Sequence, residues 1–103
     1  MGDGLLPIPD SWPMVAELRH FYSRLPLLLA EGHAVKYVVV RDGQMYDIWD
    51  TFHDARQFGY EKFGDGRFLS QKIDQRMVDA LAAYFGPVQP VEPAALAADL
   101  EVA

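Results

Sequence analysis

The dipeptide Asp42-Gly43 stands between two runs, AVKYVVVR and QMYDIW, both rich in β-branched and aromatic residues. Asp-Gly flanked by such runs is the strongest short-range hairpin signal, because both turn positions need positive φ. The middle of the chain is therefore committed to a tight antiparallel pair. With Asp42-Gly43 as the turn, Arg41 faces Gln44, Val39 faces Tyr46 and Tyr37 faces Ile48. Val35, Tyr37, Val39, Tyr46 and Ile48 then share one face, and Lys36, Val38, Val40, Met45, Asp47 and Trp49 the other. Neither face is polar enough to be left in water, so both need cover.

The flanking segments supply that cover. Asp10 or Ser11 is placed to cap a first helix with Pro13 in its first turn. Met14, Val15, Leu18, Phe21, Tyr22 and Leu25 form its apolar stripe. Pro26 ends or kinks it, and Gly32 stops it. After Trp49, Thr51 is a good N-cap with Asp54 three residues on, a capping-box variant. Phe52, Ala55, Gly59 and Phe63 lie on one face of this second helix, with Phe58 beside them. Glycine inside a helix costs about 1 kcal/mol relative to alanine, so Gly59 is read as a point of close approach to the sheet. Gly64 and Gly66 end that helix. Residues 67–73 read as a third strand, and Asp74 caps a third helix with the stripe Met77, Val78, Leu81, Tyr84 and Phe85, ended by Gly86-Pro87.

The order α-β-β-α-β-α predicts an α+β fold with a three-stranded mixed sheet in order 2-1-3. Strand 1 is antiparallel to both neighbours, and the right-handed crossover through helix 2 leaves strand 3 parallel to strand 2. Helix 2 covers one face; helices 1 and 3 pack on each other and on the sheet. The chain has 103 residues, enough for one modest core. The divisions read as an irregular arm over 1–9, a single domain over 10–86, and a Pro/Ala-rich acidic tail over 87–103 whose last residues form a short helix showing Leu96 and Leu100.

The stretch GHAVKYVVVRDGQMYDIWDTFHDARQFGYEKFGDGRFLSQKI resembles a small bacterial domain family of unknown function. That family has a helix ending LP-x-LL, a Y-V-x-V strand, a D/G-G turn and a strand ending W/F-D-T. An A-x-x-x-G-x-x-x-F-G helix and an F-L-x-x-x-I strand complete it. The likeness covers about residues 24–73. It departs where Phe52, His53 and Arg56 stand, since the family has more acidic residues there. It implies the fold and carries no activity, catalytic residue or cofactor.

The chemistry is read mainly by exclusion. The absence of cysteine removes disulfides, thiol catalysis and Cys-based zinc sites. None of His20, His33 and His53 has a second histidine at metal-ligand spacing, so no metal or other cofactor is expected. Asp47, Asp50, His53, Asp54 and Glu61 cluster in sequence, but Asp50 and Asp54 suit the positive end of a helix and Glu61 a solvated face. Asp47 has no such explanation, and a small enzyme or ligand-binding domain would use Asp47 and His53 in a shared pocket. Thr51 is spent as a cap, Ser70 has no histidine at a predictable distance, and FGDGRF follows a helix rather than opening one, so no phosphate loop is present.

The net charge is −6, and the scattered basic residues argue against nucleic acid and anionic membranes. No apolar run reaches bilayer length, and the start of the sequence lacks a signal-peptide pattern, so a cytoplasmic protein is expected. Surface remains. Trp12, Trp49, Tyr60, Tyr84, Leu96 and Leu100 are the candidate partner-binding residues. The expectation is a non-enzymatic interaction module that binds another protein or itself through a sheet edge or an aromatic patch. An acidic, antitoxin-like regulator is the other alternative, and it requires one strongly negative face.

Overall fold

The computed structural model describes residues 5–12, 14–64, 67–88 and 91–101. Its elements are α1 (Val15–Ala30), β1 (Tyr37–Arg41), β2 (Gln44–Trp49), α2 (Phe52–Phe63), β3 (Leu69–Lys72), α3 (Arg76–Phe85), α4 (Pro93–Asp99) and β4 (Leu100–Glu101). The strands lie in the order β3-β1-β2-β4. The expected trio is present, with β1 antiparallel to β2 and to β3. The fourth strand comes from the tail and pairs parallel to β2 through Met45 and Tyr46.

The hairpin follows the expected register from Arg41–Gln44 to Val39–Tyr46, then slips, so that Val38 faces Ile48 and Tyr37 faces Trp49. Asp47 is the extra residue. Its φ of 53° is a left-handed conformation that aspartate tolerates better than most residues. Its carboxylate accepts the Ile48 N–H at 2.8 Å. Side chains alternate with a period of two, so one inserted residue exchanges the faces of all that follow. Ile48 therefore joins Val38, Val40 and Met45 in the core built with α1, α3 and α4. Trp49 joins Tyr37, Val39 and Tyr46 against Ala55, Phe58, Phe63 and Phe68. This corrects the expected placement of both residues and explains Asp47 structurally.

A second irregularity opens β1. The Val35 N–H donates to the Ile73 carbonyl and the Ile73 N–H donates to the Lys36 carbonyl, each at 2.8 Å. Two residues thus oppose one, in the bulge pattern whose first position is normally glycine. Val35 occupies it with φ 61° and is 66% exposed. The left-handed conformation costs an L-residue about 1–2 kcal/mol, and so exposed a side chain recovers little by burial. Val35→Gly is therefore expected to stabilise the fold by about 1 kcal/mol, read as a higher urea midpoint. A lower midpoint would mean that the valine makes stabilising contacts.

α2 starts as expected: the Thr51 hydroxyl accepts the Asp54 N–H at 3.1 Å. Gly64, with φ 76°, closes it by donating its N–H to the Tyr60 carbonyl. Ala55 and Gly59 are buried toward the sheet. A Cβ built on Gly59 would lie 2.3 Å from a Phe68 ring carbon, which is the close approach that the glycine predicts.

α1 departs from expectation at both ends. Met14 takes φ 58° without a side-chain cap, so the helix starts at Val15 rather than behind Asp10 or Ser11. It also runs through Pro26 to Ala30. The proline removes one hydrogen bond, but Leu25 and Leu28 on either side are fully buried, and their packing holds the last turn in place. At α3 the Asp74 carboxylate accepts the Arg76 N–H at 3.0 Å, satisfying a first-turn donor as expected. The Arg76 guanidinium, bonded to it at 3.0 Å, holds its carboxyl below the usual carboxylate range.

The tail residues 93–101 are part of the packed structure. Leu96 is 1% exposed within the larger core cluster. Leu100 leaves the helix to form β4, so the two leucines are not one exposed stripe. Asp99 fixes the junction: its carboxylate accepts from Arg24 Nε at 2.5 Å, and its carbonyl accepts from the Gln44 side-chain amide.

Candidate functional site

The candidate binding residues are not brought together. Trp12 packs against Tyr84 with ring centroids 4.6 Å apart and planes tilted by 54°, and the Leu6 N–H donates to the Ala83 carbonyl at 2.7 Å. These two rings tie the N-terminal arm to the end of α3. Trp49 lies against Phe58 at 4.9 Å and donates its indole N–H to the Tyr46 carbonyl at 3.1 Å, bracing the Asp47 bulge. Leu96 is core, and the Leu100 side chain lies outside the described residues. Tyr60 remains as an exposed ring.

Tyr60 has company that the sequence reading placed elsewhere. Phe52, assigned to the buried face, is 45% exposed, and Tyr60 is 47% exposed. Phe52 sits in the first turn of α2, where Tyr37 meets it at 5.8 Å between centroids. Arg56 lies between the two rings, its Cζ 5.3 Å from Phe52 and 5.1 Å from Tyr60. It donates to the Tyr60 hydroxyl at 2.5 Å. The i, i+4, i+8 spacing makes Phe52, Arg56 and Tyr60 one row along the helix. The signal was present in the sequence as that spacing.

The row borders a strand edge. Tyr60 meets Phe68, the residue before β3, at 5.1 Å, whereas Phe58 turns the other way, toward Tyr46, and Phe63 lies between Tyr46 and Phe68. β3 pairs with β1 on one side and, among the described residues, with no strand on the other. The outer edge of β2, by contrast, is partly taken by β4.

A cleft of about 730 Å³ lies elsewhere, between Met14, Glu17, Arg41, Asp42, Arg67, Phe68 and Leu69. It is lined by no histidine, serine or threonine, and neither Asp47 nor His53 reaches it. Asp47 is engaged at its bulge and His53 is exposed on α2. Among the described residues no group of three or more His, Asp or Glu is placed to hold a metal. No helix among them is long and apolar enough to cross a membrane.

His20 is a partly buried titratable group at the junction of α1 with the end of α4. Its Nε2 lies 3.2 Å from the Asp99 carboxylate but off the hydrogen-bond line. Burial lowers its pKa from 6.5, Arg24 lowers it further, and Asp99 opposes both. The folded state therefore binds fewer protons than the unfolded chain. The resulting stability is present above the unfolded value of 6.5 and is lost as pH falls through the lower folded value. Unfolding midpoints are expected to drop on acidification from 6.5 toward the lower folded value, and His20→Gln to flatten that part of the profile. An unchanged slope in the variant would contradict this.

No family model matches this chain, and no curated protein or solved structure is significantly similar to it.

Proposed function

We propose that this chain is a non-enzymatic protein–protein interaction module, a small cytoplasmic accessory protein, and that it binds across the border between α2 and β3. The observation that carries this reading is the Phe52–Arg56–Tyr60 row, two half-exposed rings with a guanidinium between them, beside a strand edge without a partner strand. Aromatic residues and arginine are the types that concentrate binding energy at interfaces, and an open edge offers backbone groups to an incoming chain.

The alternatives draw less support. Neither Asp47 nor His53 lines the cleft described above. An antitoxin-like regulator needs a single negative face, but Glu31, Asp50 and Asp74 lie on separate segments, each beside its own partner, His33, Lys36 and Arg76 respectively.

The test is affinity purification of the tagged chain from its native cell, with light scattering on the purified protein. A stoichiometric partner or a defined oligomer that is lost in the Phe52→Ala/Tyr60→Ala variant is expected. A monomer that recovers no partner, or a partner indifferent to that variant, would overturn the reading.

A further inference from the structure

We propose that the segment received at this border is extended and acidic, and that it adds as a strand to the outer edge of β3. The inference rests on the reading of the α2–β3 border as the binding face and specifies what that face takes.

The backbone comes first. Hydrogen bonds in an antiparallel ladder alternate along each strand. Ile73 bonds to β1 through its own N–H and carbonyl. With the register Val38–Gln71 and Val40–Leu69, the residues turned toward β1 are Leu69, Gln71 and Ile73. Ser70 and Lys72 therefore present their N–H and carbonyl groups to the open edge, spaced to receive one extended segment.

Charge then selects the segment. Ser70 and Lys72 oppose Val39 and Tyr37, both of which lie in the layer under α2, so the Lys72 side chain is on the α2 side. Arg56 stands above on α2, whereas Arg67, exposed just before β3, lines the cleft with Glu17 and Asp42. Two cations, Lys72 and Arg56, thus face this edge from the α2 side in a chain of net charge −6. The neighbouring acids are engaged: Asp74 with Arg76 at 3.0 Å and in the field of Lys72, Asp50 with Lys36 at 3.4 Å, and Glu61 accepting from Gln57 at 3.1 Å. An added strand projects every second side chain toward α2. Aspartate or glutamate at those positions meets Lys72 and Arg56, and the Phe52 and Tyr60 rings flank them. A second copy of β3 fits poorly, because a two-fold pairing would set Arg56 against its own symmetry mate.

The experiment pans a random dodecapeptide display library over the immobilised full chain, then measures the enriched peptide by fluorescence anisotropy. Enrichment of sequences alternating acidic with β-branched residues is expected. Lys72→Pro removes one outward N–H and leaves the β1 ladder intact, so binding should weaken about tenfold. Arg56→Glu should weaken it at least as much. Circular dichroism checks both folds, and Lys72→Glu replaces Lys72→Pro if the proline variant unfolds. Absence of enrichment, enrichment without acidic bias, or full binding by the Lys72 variants overturns strand addition. If such peptides are still lost with Phe52→Ala/Tyr60→Ala, the α2–β3 border stands as the binding face. If they are indifferent to that variant as well, the border reading falls too.

Discussion

Leu96→Ala is expected to lower the unfolding free energy by about 3 kcal/mol, the usual cost of a leucine-sized cavity in a core. For a residue on a loosely attached tail the change would be within about 0.5 kcal/mol. The difference decides whether residues 93–101 are part of the fold. Leu96 packs with Phe21, Tyr22, Leu25, Leu28 and Leu81 in one cluster, and Asp99 pins the end of α4 to Arg24 and Gln44. Losing the leucine should also free β4 from β2, so amide exchange in β2 at the edge paired with Leu100 and Glu101 should quicken. Urea unfolding and hydrogen exchange together read both effects. Unchanged stability would mean that the tail contributes nothing to the core.

Gly59→Ala is expected to destabilise the protein by about 2 kcal/mol, against the usual direction. In an exposed helix interior the change gains about 1 kcal/mol. Here the new methyl would sit 2.3, 2.4 and 2.6 Å from three carbons of the Phe68 ring. That ring is itself held between Tyr60, at 5.1 Å, and Phe63, at 6.0 Å. Overpacking of this kind costs about 1–3 kcal/mol, sometimes more, and exceeds the helix gain. In a Phe68→Leu background the clash is relieved, and the same substitution should become neutral or stabilising, a coupling that a double-mutant cycle measures. Destabilisation of equal size in both backgrounds would place the cost elsewhere.

The features legible in the sequence were those fixed by local chemistry. Asp42-Gly43 dictated the hairpin, Thr51 the start of α2, and a glycine at the sheet-facing position of that helix the close contact with Phe68. What was not legible depended on partners distant in the chain. Asp47 carries no local mark of a bulge, yet it moves Ile48 and Trp49 to opposite faces. Val35 occupies a position suited to glycine because its neighbours impose the turn, against its own preference. β4 is two residues long, too short for any pattern, and it forms because α4 delivers it to the edge of β2. The site divides in the same way. Tyr60 was marked by an excess of aromatic mass. Phe52 was not, because periodicity counts a ring as facing the sheet without knowing where the sheet ends.

Protein binding across the α2–β3 border, the function proposed for this chain, is open to a direct test. A photo-crosslinking residue in place of Tyr60, compared with one in place of the exposed Asp79 on α3, tests it in the native cell. A discrete crosslinked protein is expected from position 60 and none from position 79. No product at position 60, or the same product from both positions, would contradict it.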